Sequence, residues 1–135
     1  MKKIDIACII DDDPIFIYTA KRMMDLVNFC NNYLIFKNGS EAINFLRPII
    51  EQNEKAPEII FLDLNMPVMD GWQFLDEFIT IPTKKEIVIY IVSSSIDPQD
   101  YEKAKKYKNV SNYIVKPIEI NHLEEILHEL VESKK

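Results

Sequence analysis

Asp63 ends the apolar run Ile59-Ile60-Phe61-Leu62, and the segment from Leu64 to Gly71 turns away from it. An apolar run of this length, bounded by turn chemistry and continuing into an amphipathic pattern, reads as a buried strand feeding a helix. Asp63 then stands at the strand's carboxyl end, the edge of an open parallel sheet where ligands bind. Other apolar runs end in chemistry of the same kind: Asp11-Asp12-Asp13 follow the first, Ser93-Ser94-Ser95 the fourth and Lys116-Pro117 the fifth. Parallel strands would deliver these acids, a hydroxyl and an ammonium to one edge. Two carboxylates about 4 Å apart repel by roughly 4 kcal/mol at an effective dielectric of about 20. Either one carboxyl is protonated or a cation shares the space. All-oxygen ligands that leave room for several waters suit Mg²⁺, and Mg²⁺ in turn implies phosphate. A metal held by Asp12 and Asp63 would bridge to one phosphoryl oxygen, with Lys116 reaching a second and the Ser93 hydroxyl a third. Asp63 would attack phosphorus as the covalent nucleophile and become an aspartyl phosphate.

The elements that must position these groups alternate along the chain. Strands are expected at Ile4 to Ile10, Tyr33 to Lys37, Ile59 to Leu62, Ile87 to Val92 and Asn112 to Val115. The second is the least uniformly apolar and suits a sheet edge, whereas the fourth is rich in β-branching and reads as covered on both faces. Phe16, Ala20, Met23, Met24 and Val27 recur at helical spacing after Pro14. Cys30 falls near the end of that pattern. Ser40 is the expected N-cap of a second helix carrying Ala42, Phe45, Leu46 and Ile49 and fraying past Pro48. Phe74, Leu75, Phe78 and Ile79 mark a third. Asp97-Pro98 caps and opens a fourth with a thin apolar face of Tyr101, Ala104 and Tyr107. Leu123, Ile126, Leu127, Leu130 and Val131 form the closing stripe. Strands and helices alternating five times with short connections specify an α/β, doubly wound parallel sheet.

A chain of 135 residues, 47% hydrophobic, makes one domain, residues 1–135, that buries about two thirds of its unfolded surface without metal or disulfide. A formal net charge of −6 argues against binding nucleic-acid phosphates directly. The lysines at 103, 105, 106 and 108 read as one solvated helix face. No apolar run is long enough to span a bilayer, and Lys2 and Lys3 lead straight into a strand, so a cytoplasmic protein is expected. Cys8 and Cys30 then read as buried thiols.

Taken together, the acidic pair, Asp63, Asn65-Met66-Pro67 with Asp70-Gly71, Ser93 and Lys116-Pro117 resemble the receiver domain of two-component response regulators, the chemotaxis-regulator type. The resemblance covers nearly the whole chain. It implies a flavodoxin-like five-stranded parallel sheet in the order 2-1-3-4-5 with helices on both faces. It also implies that Asp63 accepts a phosphoryl group from a histidine kinase or a histidine phosphotransfer protein. Asp12 would ligate Mg²⁺ directly, Asp11 through water, and the backbone carbonyl of Asn65 would complete the protein ligands. Lys116 would bind the phosphoryl group, Ser93 would sense it and Tyr113 would be the aromatic switch. Asn65 and Ser95 would tune dephosphorylation, and the Lys116–Pro117 peptide would be cis. Asp13 lies outside the metal pair and is expected to shape the local field or start the following helix.

A stand-alone phosphorylation switch is the expected role, with no output domain after the last helix. Its activity would be limited to its own phosphorylation and dephosphorylation. Its output would pass to a second, unnamed protein across the fourth helix, last strand and last helix, either from a monomer or from a phosphorylation-dependent homodimer. A phosphatase using an aspartyl intermediate would need an acid/base two residues past its nucleophile, and Asn65 cannot transfer that proton. A receiver that folds without being phosphorylated is opposed by the intact set Asp12, Asp63, Ser93 and Lys116. Trp72 is expected to pack, and His122 and His128 to face solvent.

Overall fold

In a computed structural model that describes residues 4–133, the strands are β1 (Ile4–Ile10), β2 (Cys30–Phe36), β3 (Ile59–Leu62), β4 (Val88–Ser93) and β5 (Val110–Val115). The helices are α1 (Pro14–Leu26), α2 (Gly39–Glu51), α3 (Gly71–Phe78), α4 (Pro98–Ala104) and α5 (Ile120–Ser133). All four strand pairings are parallel and the sheet order is β2-β1-β3-β4-β5. Lys2 and Lys3, and the side chain of Val131, lie outside the described residues.

Alternation along the strands sorts the apolar residues between two helical layers. Cys8, Ile10, Ile60, Leu62, Ile89 and Ile91 pack against α2 and α3, with Ala104 of α4 on the same side. Ala7, Ile9, Ile59, Phe61, Tyr90 and Val92 pack against Phe16, Ala20 and Met24 of α1 and Leu123 and Ile126 of α5. A strand period of two thus serves both layers, and β3 is buried along its whole length. No helix among the described residues is long and apolar enough to cross a membrane.

Several boundaries differ from the sequence reading. β2 begins at Cys30, not Tyr33, so Cys30 belongs to a strand: Ile4 pairs with Cys30 and Ile6 with Asn32, and an edge ladder tolerates the exposed side chains of Asn31 and Asn32. β4 starts one residue later than expected and takes in Ser93, while β5 starts at Val110. Asn38 caps α2 instead of Ser40, because its side chain accepts from the Glu41 amide at 2.9 Å. That helix continues through Pro48 to Glu51. Phe45 and Ile79 are exposed. The thin face of α4 buries only Ala104; Tyr107 stacks on Trp72, with ring centroids 5.8 Å apart, and donates to Asp76. His122 is half-buried and accepts from the Glu119 amide at 2.9 Å, closing the turn into α5, whereas His128 is exposed.

Candidate active site

In this strand order the carboxyl ends of β1 and β3 form the switch-point crevice. Asp11 leaves β1 with its amide on the Phe36 carbonyl, and Asp63 leaves β3 with its amide on the Ile10 carbonyl, each at 3.0 Å. The neighbouring strands thereby fix both backbones, and only 1% of Asp11 and 6% of Asp63 is exposed. Asp12 is exposed at the mouth. One oxygen from each of Asp11, Asp12 and Asp63 lies within 4.8 Å of the others. Asp13 accepts from the Ile15 amide at 3.0 Å and is the N-cap of α1, while its own amide donates to Asp11 Oδ1 at 2.9 Å.

Lys116 enters from the end of β5. Its amide donates to the Ser93 carbonyl at 2.8 Å, and a cis peptide links it to Pro117, as expected. Its Nζ lies 2.9 Å from Asp11 Oδ2 and 3.8 Å from Asp63 Oδ2. The Phe16 ring approaches the same ammonium, with its centroid 4.6 Å away. Asp11 Oδ2 is buried, and among the described residues the Lys116 ammonium is its one polar partner. Burial raises the Asp11 carboxyl above the usual range against the opposing Asp13 amide and Lys116. Burial, then the charge of Asp11, raises Asp63 to about 6, opposed by Lys116 and the amides of Leu64 and Asn65. A buried oxygen with one polar partner, within a cluster of carboxylates, is a fit for a hard cation, which would supply a further one.

Ser93 is fully buried, and its Oγ accepts from the Ser95 amide at 3.2 Å. Tyr113 is half-buried with its hydroxyl donating to the Ser95 carbonyl at 2.9 Å and its ring 4.3 Å from that of Tyr101. The Ser95 hydroxyl points at α4 and donates to Asp100 at 2.5 Å. Asn65 is exposed on the loop, with its amide facing Asp63.

The loop after Asp63 is fastened by both of the chain's glycines. A Cβ on Gly71 would lie 2.4 Å from the Asp63 carbonyl oxygen, and one on Gly39 would lie 2.9 Å from Met69 Cγ. Gly71 donates its amide to the Leu64 carbonyl and Gly39 its amide to the Met69 carbonyl. Asp70 caps α3 in a reciprocal pair with Gln73. The sequence reading missed Gly39 as a support of this loop, and it missed Phe16 as a contact of Lys116. Phe16 stands in the first turn of α1, just past the acidic run, and that position at the sheet edge was the available signal.

A parallel sheet in this order, with carboxylates and a lysine converging at its carboxyl edge, defines a flavodoxin-like α/β domain with an acidic site at the switch point. The family model of the response regulator receiver domain matches residues 7–128. The chain belongs to the receiver-domain family of two-component response regulators. A response regulatory protein of Staphylococcus epidermidis is 30% identical over 92% of this chain, which spans only 45% of that relative's length. A two-component response regulator from Cytophaga hutchinsonii superposes with a TM-score of 0.87 at 30% identity, over 97% of this chain and 99% of the other. The phosphorylated cyanobacterial phytochrome response regulator RcpA gives a TM-score of 0.75 at 27% identity, covering 95% of this chain and 91% of its own.

Proposed function

We propose that Asp63 is the phosphoacceptor of this receiver domain and takes its phosphoryl group from a phosphohistidine on a histidine kinase or a histidine phosphotransfer protein. The observation that carries this is the buried group of Asp11, Asp63 and Lys116, in which one ammonium lies beside two carboxylates. An Asp63 carboxyl held at about 6 is mostly ionised at neutral pH yet poorly solvated, a state that favours nucleophilic attack. An Asp63 oxygen bonds to phosphorus as the nitrogen–phosphorus bond breaks. The departing imidazole nitrogen keeps that bond's electron pair and gains a proton from solvent.

Lys116 lies close enough to shift from Asp11 toward a phosphoryl oxygen on Asp63, and Ser93 ends the adjacent strand with a hydroxyl to offer a second. Asp11, Asp12 and Asp63, with the Asn65 carbonyl, would hold Mg²⁺, which when bound offsets the charge of the carboxylates and phosphoryl oxygens. Asn65 and Ser95 flank this group and would set how readily water reaches the acyl phosphate. Withdrawal of the Ser93 hydroxyl toward phosphate would break its bond to the Ser95 amide, and Tyr113, held on the Ser95 carbonyl, would respond. The domain would act in the cytoplasm, signalling to a downstream protein through α4, β5 and α5.

Intact mass after incubation with acetyl phosphate and Mg²⁺ tests the assignment. A single labile phosphoryl adduct is expected, absent from Asp63→Asn and absent with chelator. An adduct that survives Asp63→Asn, or no adduct on the folded native chain, would remove Asp63 from the role.

A further inference from the structure

We infer that Phe16 is a positioning residue for phosphoryl transfer, holding the Lys116 ammonium over its ring so that the cation can pass from Asp11 to the phosphoryl group on Asp63. The inference rests on the phosphoacceptor reading of Asp63.

Lys116 has an unequal choice of carboxylates, with Asp11 Oδ2 at 2.9 Å and Asp63 Oδ2 at 3.8 Å. With the ring in place and no phosphoryl group present, the ammonium rests on Asp11 and has still to move toward Asp63. The Phe16 ring is a third, uncharged partner at 4.6 Å from centroid to Nζ. A ring face attracts a cation through its quadrupole anywhere within about 6 Å of the centroid, with no single acceptor atom to fix it. It therefore stabilises the ammonium without fixing it to one oxygen, which a carboxylate or carbonyl in the same place would do. With only 17% of the Lys116 side chain and 8% of Phe16 exposed, water competes weakly for the ammonium and the contact is worth more than at a surface.

The fold fixes the ring independently of the charges. Phe16 packs beneath α1 in the same apolar layer as Ala20, Met24, Ile118 and Leu123, and α1 is itself capped by Asp13, whose amide holds Asp11. One short segment thus sets the acid and the aromatic face on which Lys116 depends. An aliphatic residue at position 16 would keep the layer apolar but would offer the ammonium no ring face.

Adduct formation from acetyl phosphate with Mg²⁺, followed by intact mass, is compared for the native chain, Phe16→Leu and Phe16→Tyr. The Lys116 methylene proton shifts are read by NMR in the unmodified native protein. Phe16→Leu should be phosphorylated about tenfold more slowly, from the loss of a desolvated ring–cation contact. Phe16→Tyr should restore the rate to within about twofold, since its ring keeps the attraction. The Lys116 Hε signals should lie upfield of those of the other lysines, as expected for protons over a ring. That measurement needs no variant to fold. Equal rates for native and Phe16→Leu proteins, a Phe16→Tyr protein as slow as Phe16→Leu, or Lys116 Hε signals among those of the other lysines would overturn the positioning role alone. A native chain that takes no phosphoryl group overturns the phosphoacceptor reading and this inference with it.

Discussion

At the carboxyl edge of the sheet Lys116 Nζ lies 2.9 Å from Asp11, and near its amino edge Lys55 Nζ lies 2.6 Å from Asp5. The chemistry and spacing are alike, but the surroundings are opposed. The first pair has side-chain exposures of 17% and 1%, the second 72% and 33%. In water an ion pair is a minor contributor, because solvent serves each charge nearly as well as the partner does. Out of water each charge depends on its neighbours, and among the described residues Asp11 and Asp63 share one ammonium beside the backbone amides they accept from. Burial is what sets the Lys116–Asp11 contact apart from the Lys55–Asp5 contact at the surface.

The largest expected effect comes from removing the two lysines in turn. Lys116→Met leaves two buried carboxylates with no cation and should destabilise the fold by about 3 kcal/mol in urea unfolding without Mg²⁺ above neutral pH. Lys55→Met should change stability by less than about 0.5 kcal/mol. The Lys116→Met loss should shrink on acidification as the carboxyls become neutral. Equal losses from the two variants would show that burial does not set the pairs apart.

Removing the acceptor charge acts in the opposite direction. The folded-state value of Asp63, about 6, lies above its unfolded value, so its contribution to stability is fully present below the unfolded value and is lost as pH rises through about 6. Asp63→Asn escapes that loss. Without Mg²⁺ the variant should therefore be more stable than the native chain by about 1–2 kcal/mol above neutral pH, and the gain should fade between about pH 6 and pH 4. Thermal unfolding across that range checks it. A variant less stable than the native chain at every pH would contradict a penalty for ionised Asp63.

Strand ends carried most of what the sequence revealed. Asp11, Asp63, Ser93 and Lys116 each terminate an apolar run, and parallel topology alone brings such residues to one edge. Asp97 was legible as a cap because Pro98 follows it, whereas for Asp13 the sequence left two roles open, shaping the local field or starting α1, which it caps. The start of β2 was not legible, since Asn31 and Asn32 interrupt the pattern and only the ladder to β1 makes them strand. The Asn38 cap was hidden by the later and equally plausible Ser40. Phe16 looked like any core aromatic. Its place just past the acidic run put it at the site's edge, but its contact with Lys116 joins α1 to the end of β5, and no local pattern names a partner so far away in the chain.

Backbone strain follows the same division between the two edges, with a smaller expected effect. Three described residues other than glycine have positive φ. Asn28, before β2, and Asn53, before β3, are at 51° and 55° and stand on the amino side, where asparagine tolerates the left-handed region. Val68, in the loop after Asp63, is at 67°. A β-branched residue is penalised there by roughly 1–2 kcal/mol, and Val68 is 83% exposed, so its own burial offsets none of that. The Met69 amide closes on the Pro67 carbonyl at 2.7 Å across it, and the Gly39 amide holds the Met69 carbonyl at 2.9 Å. The loop is thus pinned on both sides of the strained residue. Val68→Asn should stabilise the domain by about 1 kcal/mol, and Asn53→Val should destabilise it by a similar amount, both read as shifts of about 3 °C in Tm. If Val68→Asn lowers Tm, the exposed valine makes a contribution that outweighs its backbone. If it raises Tm as expected and also slows phosphorylation of Asp63, strain in this loop helps to set the acceptor's geometry. A raised Tm with an unchanged rate would make the strain incidental to the chemistry.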